Sequence, residues 1–232
     1  MKQALIGARV FDGEIFLNDT AVIIDNDKII ELAPVSQLDN SIEKINLKGG
    51  VIAPGFIDLQ VNGGGGAFFT NDTSVKAIQT MVQGHRPTGT TSMMPTLISN
   101  TKEVHQAGVQ AICDAVEQGN PGVLGVHIEG PFFSMEKRGA HHERYIREMD
   151  ESDEAWLEKI SGFKTIITLA PELTKPGQIK ALSDAGIIVC AGHTNAHYED
   201  VVRGIDEGLL GFTHLYNAMR PQSGREPGTV GA

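Results

Sequence analysis

The alternation of short apolar runs with helix-like segments from residue 51 onward is the feature that most constrains the fold of this chain. Six runs have the length and composition of buried strands, and they begin near residues 55, 91, 123, 165, 187 and 211. Five helix-like segments lie between them: 74–83, 102–117, 154–160, 178–185 and 198–207. Strand followed by helix, repeated, specifies a parallel sheet with helical crossovers. The pattern predicts an α/β fold, a (β/α)8 TIM-type barrel with about six of its eight units present.

The first 50 residues follow a different pattern. Their short apolar runs are separated by turn signals such as Asp12-Gly13 and Asn18-Asp19, which is typical of antiparallel strands joined as hairpins. We place the boundary near Lys48–Gly50, so that residues 1–50 form one domain and residues 51–232 the barrel. A complete eight-stranded barrel takes around 250 residues. Residues 51–232 are too few for one, so we expect the sequence to be truncated.

Charge and cysteine content narrow the function classes. The formal net charge of −10 argues against a nucleic-acid surface, which needs clustered Lys and Arg, but it leaves a small anionic substrate possible. Cys113 and Cys190 have no paired spacing, which favours a reduced, intracellular protein. Neither a secretory leader nor an apolar stretch of the roughly 18 residues that a membrane helix needs is visible. We expect a cytoplasmic protein that binds neither nucleic acid nor membrane.

Possible metal ligands stand where three of the strand candidates end. Glu129 follows the third run, His193 the fifth and His214 the sixth. If these runs are parallel strands of one barrel, the three side chains converge at its C-terminal mouth, where barrel enzymes keep their chemistry. One carboxylate and two imidazoles, with a position left for water, is the ligand set of a catalytic divalent metal such as zinc. The sequence predicts a metal-assisted hydrolase.

Other polar residues near the strand ends have open interpretations. Glu172 is either an outer partner of the site or a plain strand cap. His127 lies two residues before Glu129, one layer deeper, which favours a hydrogen-bonded core histidine or an outer partner over a ligand. His141 and His142 are adjacent in a polar loop, so at most one of them should contact substrate. Arg225 is either an anion contact, since a guanidinium binds phosphate bidentately, or the partner of an acid such as Glu226.

Five segments resemble a known family. They closely resemble the N-acetylglucosamine-6-phosphate deacetylases of the amidohydrolase superfamily, in order and across essentially the whole chain. They are Pro54–Gly63, His127–Pro131, Gly192–Ala196, Thr213–Met219 and Gly224–Gly228. The resemblance implies that residues 1–50 are half of a small β-sandwich that C-terminal strands complete in the family. It also implies a homodimer.

The resemblance assigns roles to individual residues. It implies that Glu129, His193 and His214 are the metal ligands and that His141 lies near the substrate. Asn217 and the backbone at Ala218 would hold the sugar phosphate, and Arg225 would reach the phosphate of the neighbouring subunit's substrate. The family's catalytic aspartate and a further substrate histidine would lie beyond residue 232, so the catalytic acid–base is not among these residues.

The first strand departs from many amidohydrolases. They carry His-x-His there and bind two metals, whereas this chain has Gln60-Val61-Asn62. Two amides are poor ligands for a second zinc-like ion, so Gln60 and Asn62 mark at most a vestigial second metal site. Gly64 also stands where some family members carry a cysteine. We expect one divalent ion per subunit, zinc first, with iron or another divalent ion as alternatives.

The reaction that the resemblance implies is hydrolysis of N-acetylglucosamine 6-phosphate to glucosamine 6-phosphate and acetate, in amino-sugar catabolism. A metal-activated water would attack the acetamide. Two alternatives stay open. One is another metal-dependent amidohydrolase that acts on a cyclic amide, against which a phosphate contact at Arg225 would discriminate. The other is a truncated remnant that binds metal or ligand without turnover.

Overall fold

The computed structural model describes residues 2–160 and 162–232, which divide into two compact units. The first holds the described residues up to Gly55, and the second is Phe56–Ala232. Within the described ranges, no helix combines the length and the apolar character needed to cross a membrane.

The first unit consists of two small sheets. Its strands are β1 (Lys2–Ile6), β2 (Arg9–Phe11), β3 (Phe16–Leu17), β4 (Thr20–Asp25), β5 (Lys28–Pro34), β6 (Glu43–Asn46) and β7 (Val51–Ile52). One sheet has the order β5-β4-β1-β6 and the other β3-β2-β7. A small core forms between mostly short side chains: Ala4, Ala21, Ile23 and Ala33.

The expected antiparallel hairpins form only part of these sheets. β2 pairs with β3 and β4 with β5 as hairpins, and β1 is also antiparallel to β4. However, β1 pairs with β6 and β2 with β7 in parallel. The prediction of antiparallel strands throughout was therefore wrong. It considered only neighbours along the chain, whereas both parallel partners return to the sheet after intervening hairpins.

The second unit is built on the predicted parallel sheet. The six strands of this sheet are β8 (Phe56–Val61), β11 (Thr90–Ile98), β12 (Val126–Glu129), β13 (Thr165–Leu169), β14 (Ile188–Ala191) and β15 (Gly211–Phe212). They lie side by side in chain order, and every neighbouring pair is parallel. This confirms the α/β class and the six strands of a TIM-type barrel. The glycine run after β8 forms a short hairpin of β9 (Gly63–Gly64) and β10 (Ala67–Phe68).

Helices cross over between these strands. They are α1 (Val75–His85), α2 (Lys102–Glu117), α3 (Glu151–Lys159), α4 (Gln178–Asp184) and α5 (Tyr198–Asp206), followed by a short α6 (Gly228–Gly231). Helix α3 begins three residues earlier than its apolar pattern indicates, because Asp150 and Asp153 form a capping box at its N-terminus. The sheet and the helices enclose one core, which includes Ile128, Ile167 and Val189 from three neighbouring strands.

The register of the sheet determines which residues meet at its carboxyl edge. Glu129 is the last residue of β12 and pairs with Thr168 on β13. Thr168 pairs with Cys190, and Ala191, the last residue of β14, pairs with Phe212. The residues that directly follow β14 and β15 therefore emerge beside Glu129.

Candidate metal centre

Glu129, His193 and His214 come together at the carboxyl edge of the sheet. Their ligand atoms all lie within 4.8 Å of one another. The two imidazole Nε2 atoms are 3.0 Å apart, and Glu129 Oε1 lies 3.5 Å from His193 Nε2 and 3.3 Å from His214 Nε2. Glu129 and His193 are buried, and His214 is half-buried. We refer to these three residues as the metal cluster.

The backbone at the strand ends turns the two imidazoles inward. His193 has a φ of 49° and His214 a φ of 38°, a left-handed conformation that is uncommon outside glycine. His193 is the second residue after the end of β14, and His214 is the second residue after the end of β15. Non-glycine residues in this conformation cluster at functional sites, where the surrounding structure compensates the strain.

Hydrogen bonds define which nitrogen of each imidazole carries the proton. His193 Nδ1 lies 2.9 Å from the carbonyl oxygen of Lys137, and His214 Nδ1 lies 3.1 Å from that of Asn217. A carbonyl oxygen only accepts, so both Nδ1 atoms are donors. In the neutral imidazole this leaves a lone pair on each Nε2.

The metal cluster therefore brings three acceptors together. Two Nε2 lone pairs and a carboxylate oxygen lie 3.0–3.5 Å from one another, and they repel unless a cation lies between them. A shared proton or a metal ion meets that requirement. Two imidazoles and one carboxylate, with room for water, fit one divalent ion of the zinc type.

The charge state of the cluster favours a cation. Burial raises the pKa of Glu129, but its contacts with His193 and His214 outweigh burial and lower the pKa well below its usual range. When Nε2 of His214 takes up a proton, its hydrogen bond to Glu129 stabilises that charged form and raises the pKa of His214, against the opposing effect of burial. The carboxylate is thus anionic near neutral pH, and the site binds positive charge.

Gln60 and Asn62 flank the cluster at the end of β8. Gln60 Nε2 donates to Glu129 Oε1 over 2.6 Å, so its amide orients the carboxylate through the donor end. Asn62 Oδ1 is buried and has no hydrogen-bond partner among the described residues. The vestigial second metal site that we assigned to these two amides stays a prediction.

Of the two adjacent histidines in the loop after β12, only His141 reaches the site. His141 is buried, and its ring lies 4.9 Å from that of Phe133 and 4.4 Å from that of His193. Burial, and then the electrostatic interaction with the neighbouring His193, lower the pKa of His141 to about 4. His142 is exposed, and its Nδ1 accepts the backbone N–H of Arg144 instead.

A cavity of about 570 Å³ opens over the cluster. The predicted substrate residues His141, Asn217 and Ala218 line it, together with Gln60 and Asn62. Lys137 also lines this cavity and was not singled out in the sequence. Nothing in the polar loop after β12 distinguishes it as a site residue, although the Lys137 carbonyl also orients His193.

Arg225 does not line the cavity. The residue is exposed, and no ion pair of its side chain occurs within the described part of the chain. Its sequence neighbour Glu226 is paired with His197 at 3.1 Å instead, so the alternative of an Arg225–Glu226 salt bridge was wrong. A contact with the neighbouring subunit's substrate stays a prediction.

Glu172 and His127, two of the residues with open interpretations, lie behind the cluster. Glu172 accepts the Thr194 hydroxyl through Oε2 and the Asn195 N–H through Oε1, so it holds the segment that directly follows His193. It is an outer partner of the site, and burial raises the pKa of its carboxyl. His127 is buried one layer deeper and hydrogen-bonded through both nitrogens, in agreement with the expected core histidine.

Comparison with known proteins identifies matches over both units. Residues 51–230 match the amidohydrolase family, and residues 3–52 match the NagA composite domain. An N-acetylgalactosamine-6-phosphate deacetylase of Shewanella sp. (strain ANA-3) is 44% identical over 187 residues, which cover 80% of this chain and 47% of that protein. An N-acetylglucosamine-6-phosphate deacetylase of Haemophilus influenzae is 38% identical over 233 residues, covering 100% of this chain and 61% of that protein.

Solved structures agree with these matches. The crystal structure of N-acetylglucosamine-6-phosphate deacetylase from Pasteurella multocida superposes with a TM-score of 0.96 at 38% identity, over 100% of this chain and 62% of that one. A mutant of the Mycobacterium smegmatis enzyme in complex with N-acetyl-D-glucosamine-6-phosphate has a TM-score of 0.88 at 30% identity, over 99% of this chain and 59% of that one. This chain thus spans 47% to 62% of the length of these relatives.

Proposed function

Because the chain belongs to the amidohydrolase family, we propose that its site hydrolyses the acetamide of an N-acetylhexosamine 6-phosphate with a bound divalent ion. The first substrate that we propose is N-acetylglucosamine 6-phosphate, which would give glucosamine 6-phosphate and acetate. The observation that carries the proposal is the convergence of Glu129 Oε1 with the Nε2 lone pairs of His193 and His214.

A second substrate has support from one relative. The Shewanella protein is named for N-acetylgalactosamine 6-phosphate, and it is 44% identical to this chain. The two sugars are epimers at C4 and carry the same acetamide and phosphate. The metal cluster would treat both alike, so any discrimination would come from the cavity wall, which includes Phe68 and Ile98.

Each proposed role follows from a position in the cavity. Glu129, His193 and His214 would hold the ion, which when bound supplies Lewis acidity and activates a water. Gln60 keeps the Glu129 carboxylate oriented by donating to Oε1. Asn217 and the backbone at Ala218 would bind the phosphate, which lies far from the acetamide and would orient it for attack.

The same proposal covers the identity of the ion, the oligomeric state, the location in the cell and the domain division. We propose zinc as the ion, because two imidazoles and one carboxylate are ligands that zinc accepts readily. We propose a homodimer, in which exposed Arg225 would reach the other subunit's substrate, and a cytoplasmic location, where both free cysteines would stay reduced. The division into a β-sandwich part at residues 1–50 and a barrel at 51–232 has support from two compact units that meet at Gly55–Phe56.

The test of the function measures acetate release by the protein loaded with a divalent metal ion. We expect turnover of N-acetylglucosamine 6-phosphate, with N-acetylgalactosamine 6-phosphate and a cyclic amide assayed in parallel. The His193→Ala variant is the inactive control. Turnover of the cyclic amide alone would favour the alternative of an amidohydrolase that acts on cyclic amides. Metal binding without hydrolysis of any of the three compounds would favour the alternative of a protein that binds metal without turnover.

A second test concerns the phosphate contact of Arg225. The Arg225→Ala substitution should raise KM for the phosphorylated sugar by roughly 10- to 150-fold, the loss of one charge-assisted hydrogen bond. KM for unphosphorylated N-acetylglucosamine should change little, because that sugar presents no anion. Arg86→Ala, at another exposed arginine, is the control. Equal effects on both sugars would show that Arg225 has a structural role.

A further inference from the structure

The two ring nitrogens of His141 have different environments. Nδ1 lies 3.3 Å from the backbone N–H of Ser99 and 2.8 Å from the Ser99 hydroxyl oxygen. A backbone N–H only donates, so Nδ1 must accept and carries no proton. The hydroxyl reaches the same nitrogen and is therefore a second donor to it. A neutral imidazole has one N–H, which in His141 is left on Nε2.

This tautomer is the opposite of that of the two metal-cluster histidines. His193 and His214 both donate through Nδ1 and present a lone pair at Nε2. His141 lines the same cavity with its ring 4.4 Å from that of His193, yet it presents an N–H. Among the described residues, Nε2 of His141 has no hydrogen-bond partner. The atom is not fully buried either. The N–H is thus available to a molecule in the cavity.

Ser99 and His141 are both held in place. Ser99 directly follows β11 and is buried, and the preceding residue, Ile98, donates its N–H to Thr70 Oγ1 over 3.0 Å. The missing side chain of Gly130 leaves room for the Ser99 hydroxyl, which a Cβ there would overlap. His141 donates its own backbone N–H to the Arg138 carbonyl over 3.1 Å. Neither partner can turn away without breaking a backbone contact.

We propose that Ser99 is a positioning residue that fixes His141 in the Nε2–H tautomer, so that His141 donates a hydrogen bond to an oxygen of the substrate. The same tautomer keeps His141 from acting as a third imidazole ligand, because its cavity-facing nitrogen has no lone pair to offer. The identity of the substrate rests on the proposed function, whereas the tautomer does not.

The tautomer can be measured directly. In the 232-residue chain labelled with 15N-histidine, two-bond 1H–15N correlation spectra distinguish a protonated from an unprotonated ring nitrogen, and the His141→Gln variant assigns the signals. We expect an unprotonated Nδ1 and a protonated Nε2 at His141. Ser99→Ala keeps the backbone N–H at 3.3 Å but removes the shorter hydroxyl contact at 2.8 Å, so it should weaken the preference and shift the signals part of the way towards the other tautomer. Ser99→Thr, which keeps the hydroxyl, should restore them. Ser92→Ala, on β11, the strand just before Ser99, is the matched control.

Steady-state kinetics of the metal-loaded protein give the functional readout. Ser99→Ala should lower kcat/KM for the phosphorylated sugar by about 2- to 10-fold, the range of one hydrogen bond, and Ser99→Thr should recover it. A protonated Nδ1 in the parent chain, or a Ser99→Ala variant with unchanged spectra and unchanged kcat/KM, would overturn the proposal. If no form of the protein released acetate, the proposed function would fail, and the spectra would still decide the role of Ser99.

Discussion

Two polar groups lie one layer apart in the barrel sheet, and they differ in how their hydrogen bonds are satisfied. The upper group is the metal cluster. The lower group, which we call the deep network, is His127, Thr168 and Thr213, all of them buried. His127 and Glu129 are two residues apart on β12, so their side chains lie on the same side of the strand.

Each hydrogen bond of the deep network joins one donor to one acceptor. His127 Nδ1 donates to the Leu59 carbonyl over 2.9 Å, which leaves Nε2 as an acceptor. The Thr168 hydroxyl lies 2.7 Å from that Nε2 and must therefore donate to it. The Thr213 hydroxyl, 2.6 Å from the Thr168 oxygen, donates in turn. Burial lowers the pKa of His127, in keeping with this neutral arrangement.

The metal cluster shows the opposite pattern. Each of its two histidines donates its single N–H to a backbone carbonyl. The two Nε2 atoms and the Glu129 carboxylate therefore meet as three acceptors, with no donor among them. Buried polar groups are normally satisfied, and an exception requires an explanation. The comparison teaches that the deep network closes on itself, whereas the metal cluster leaves lone pairs open to a cation.

The largest expected effect comes from removing one of the open lone pairs. His193→Ala takes away one of the three proposed ligands, and the neighbouring imidazole of His141 presents an N–H to the cavity rather than a lone pair. The affinity for Zn²⁺ should fall by more than about 100-fold, beyond what the loss of an outer partner alone costs. Titration calorimetry and metal analysis by mass spectrometry measure it.

The control for this substitution is His197→Ala. His197 is exposed and paired with Glu226, outside the cavity. It should leave the metal stoichiometry unchanged. If the His193→Ala variant bound as much zinc per chain as the parent, His193 would not be a ligand, and the proposed difference between the metal cluster and the deep network would be wrong.

The deep network should respond in stability rather than in metal binding. Thr168→Val keeps the size of the side chain but leaves His127 Nε2 without a donor and the Thr213 hydroxyl without an acceptor. An unsatisfied buried group costs about 1–3 kcal/mol of unfolding free energy. Urea denaturation of the metal-free chain measures the loss. Zinc affinity should stay within a few-fold of the parent, and a large drop in affinity would show that the two layers are coupled.

Much of this arrangement could be predicted from the sequence. Six strands with helical crossovers follow from the apolar periodicity, and Glu129, His193 and His214 stand out because each ends a strand run. Parallel strands bring their carboxyl ends to one edge, so convergence follows from topology alone. The depth of His127 also follows, because strand side chains alternate with a period of two.

The remaining features depend on contacts that no local pattern encodes. Ser99 and His141 are 42 residues apart, and their hydrogen bond exists only because β11 and the loop after β12 meet at the cavity. The tautomers depend on the carbonyls of Lys137 and Asn217, and carbonyls leave no mark in a sequence. The parallel pairing of β1 with β6 is likewise long-range, and for that reason the hairpin prediction failed for the first unit.

The pH dependence of metal binding offers a graded test of the open lone pairs. The hydrogen bond to Glu129 raises the pKa of His214, so the proton competes with the metal at higher pH than for an ordinary imidazole. Below that pKa, zinc affinity should fall by about tenfold per pH unit for one displaced proton. Without metal, the same contact stabilises the fold at low pH, and this stabilisation is lost as pH rises through the raised pKa. Thr168→Val should keep the slope, and a flat affinity between about pH 5 and 7 would contradict the assignment.

The smallest expected effect tests the direction of the deep network. Thr213 is its last donor, so Thr213→Val removes one hydrogen bond to the Thr168 oxygen while Thr168 still donates to His127. The cost should be about 0.5–1.5 kcal/mol of unfolding free energy, less than for Thr168→Val, because no donor is left without an acceptor. If the chain of donors ran the other way, from His127 to Thr213, Thr213→Val would leave the Thr168 hydroxyl without an acceptor and the two costs would be similar. Urea denaturation of both variants side by side distinguishes these outcomes, and equal costs would reverse the tautomer that we assign to His127.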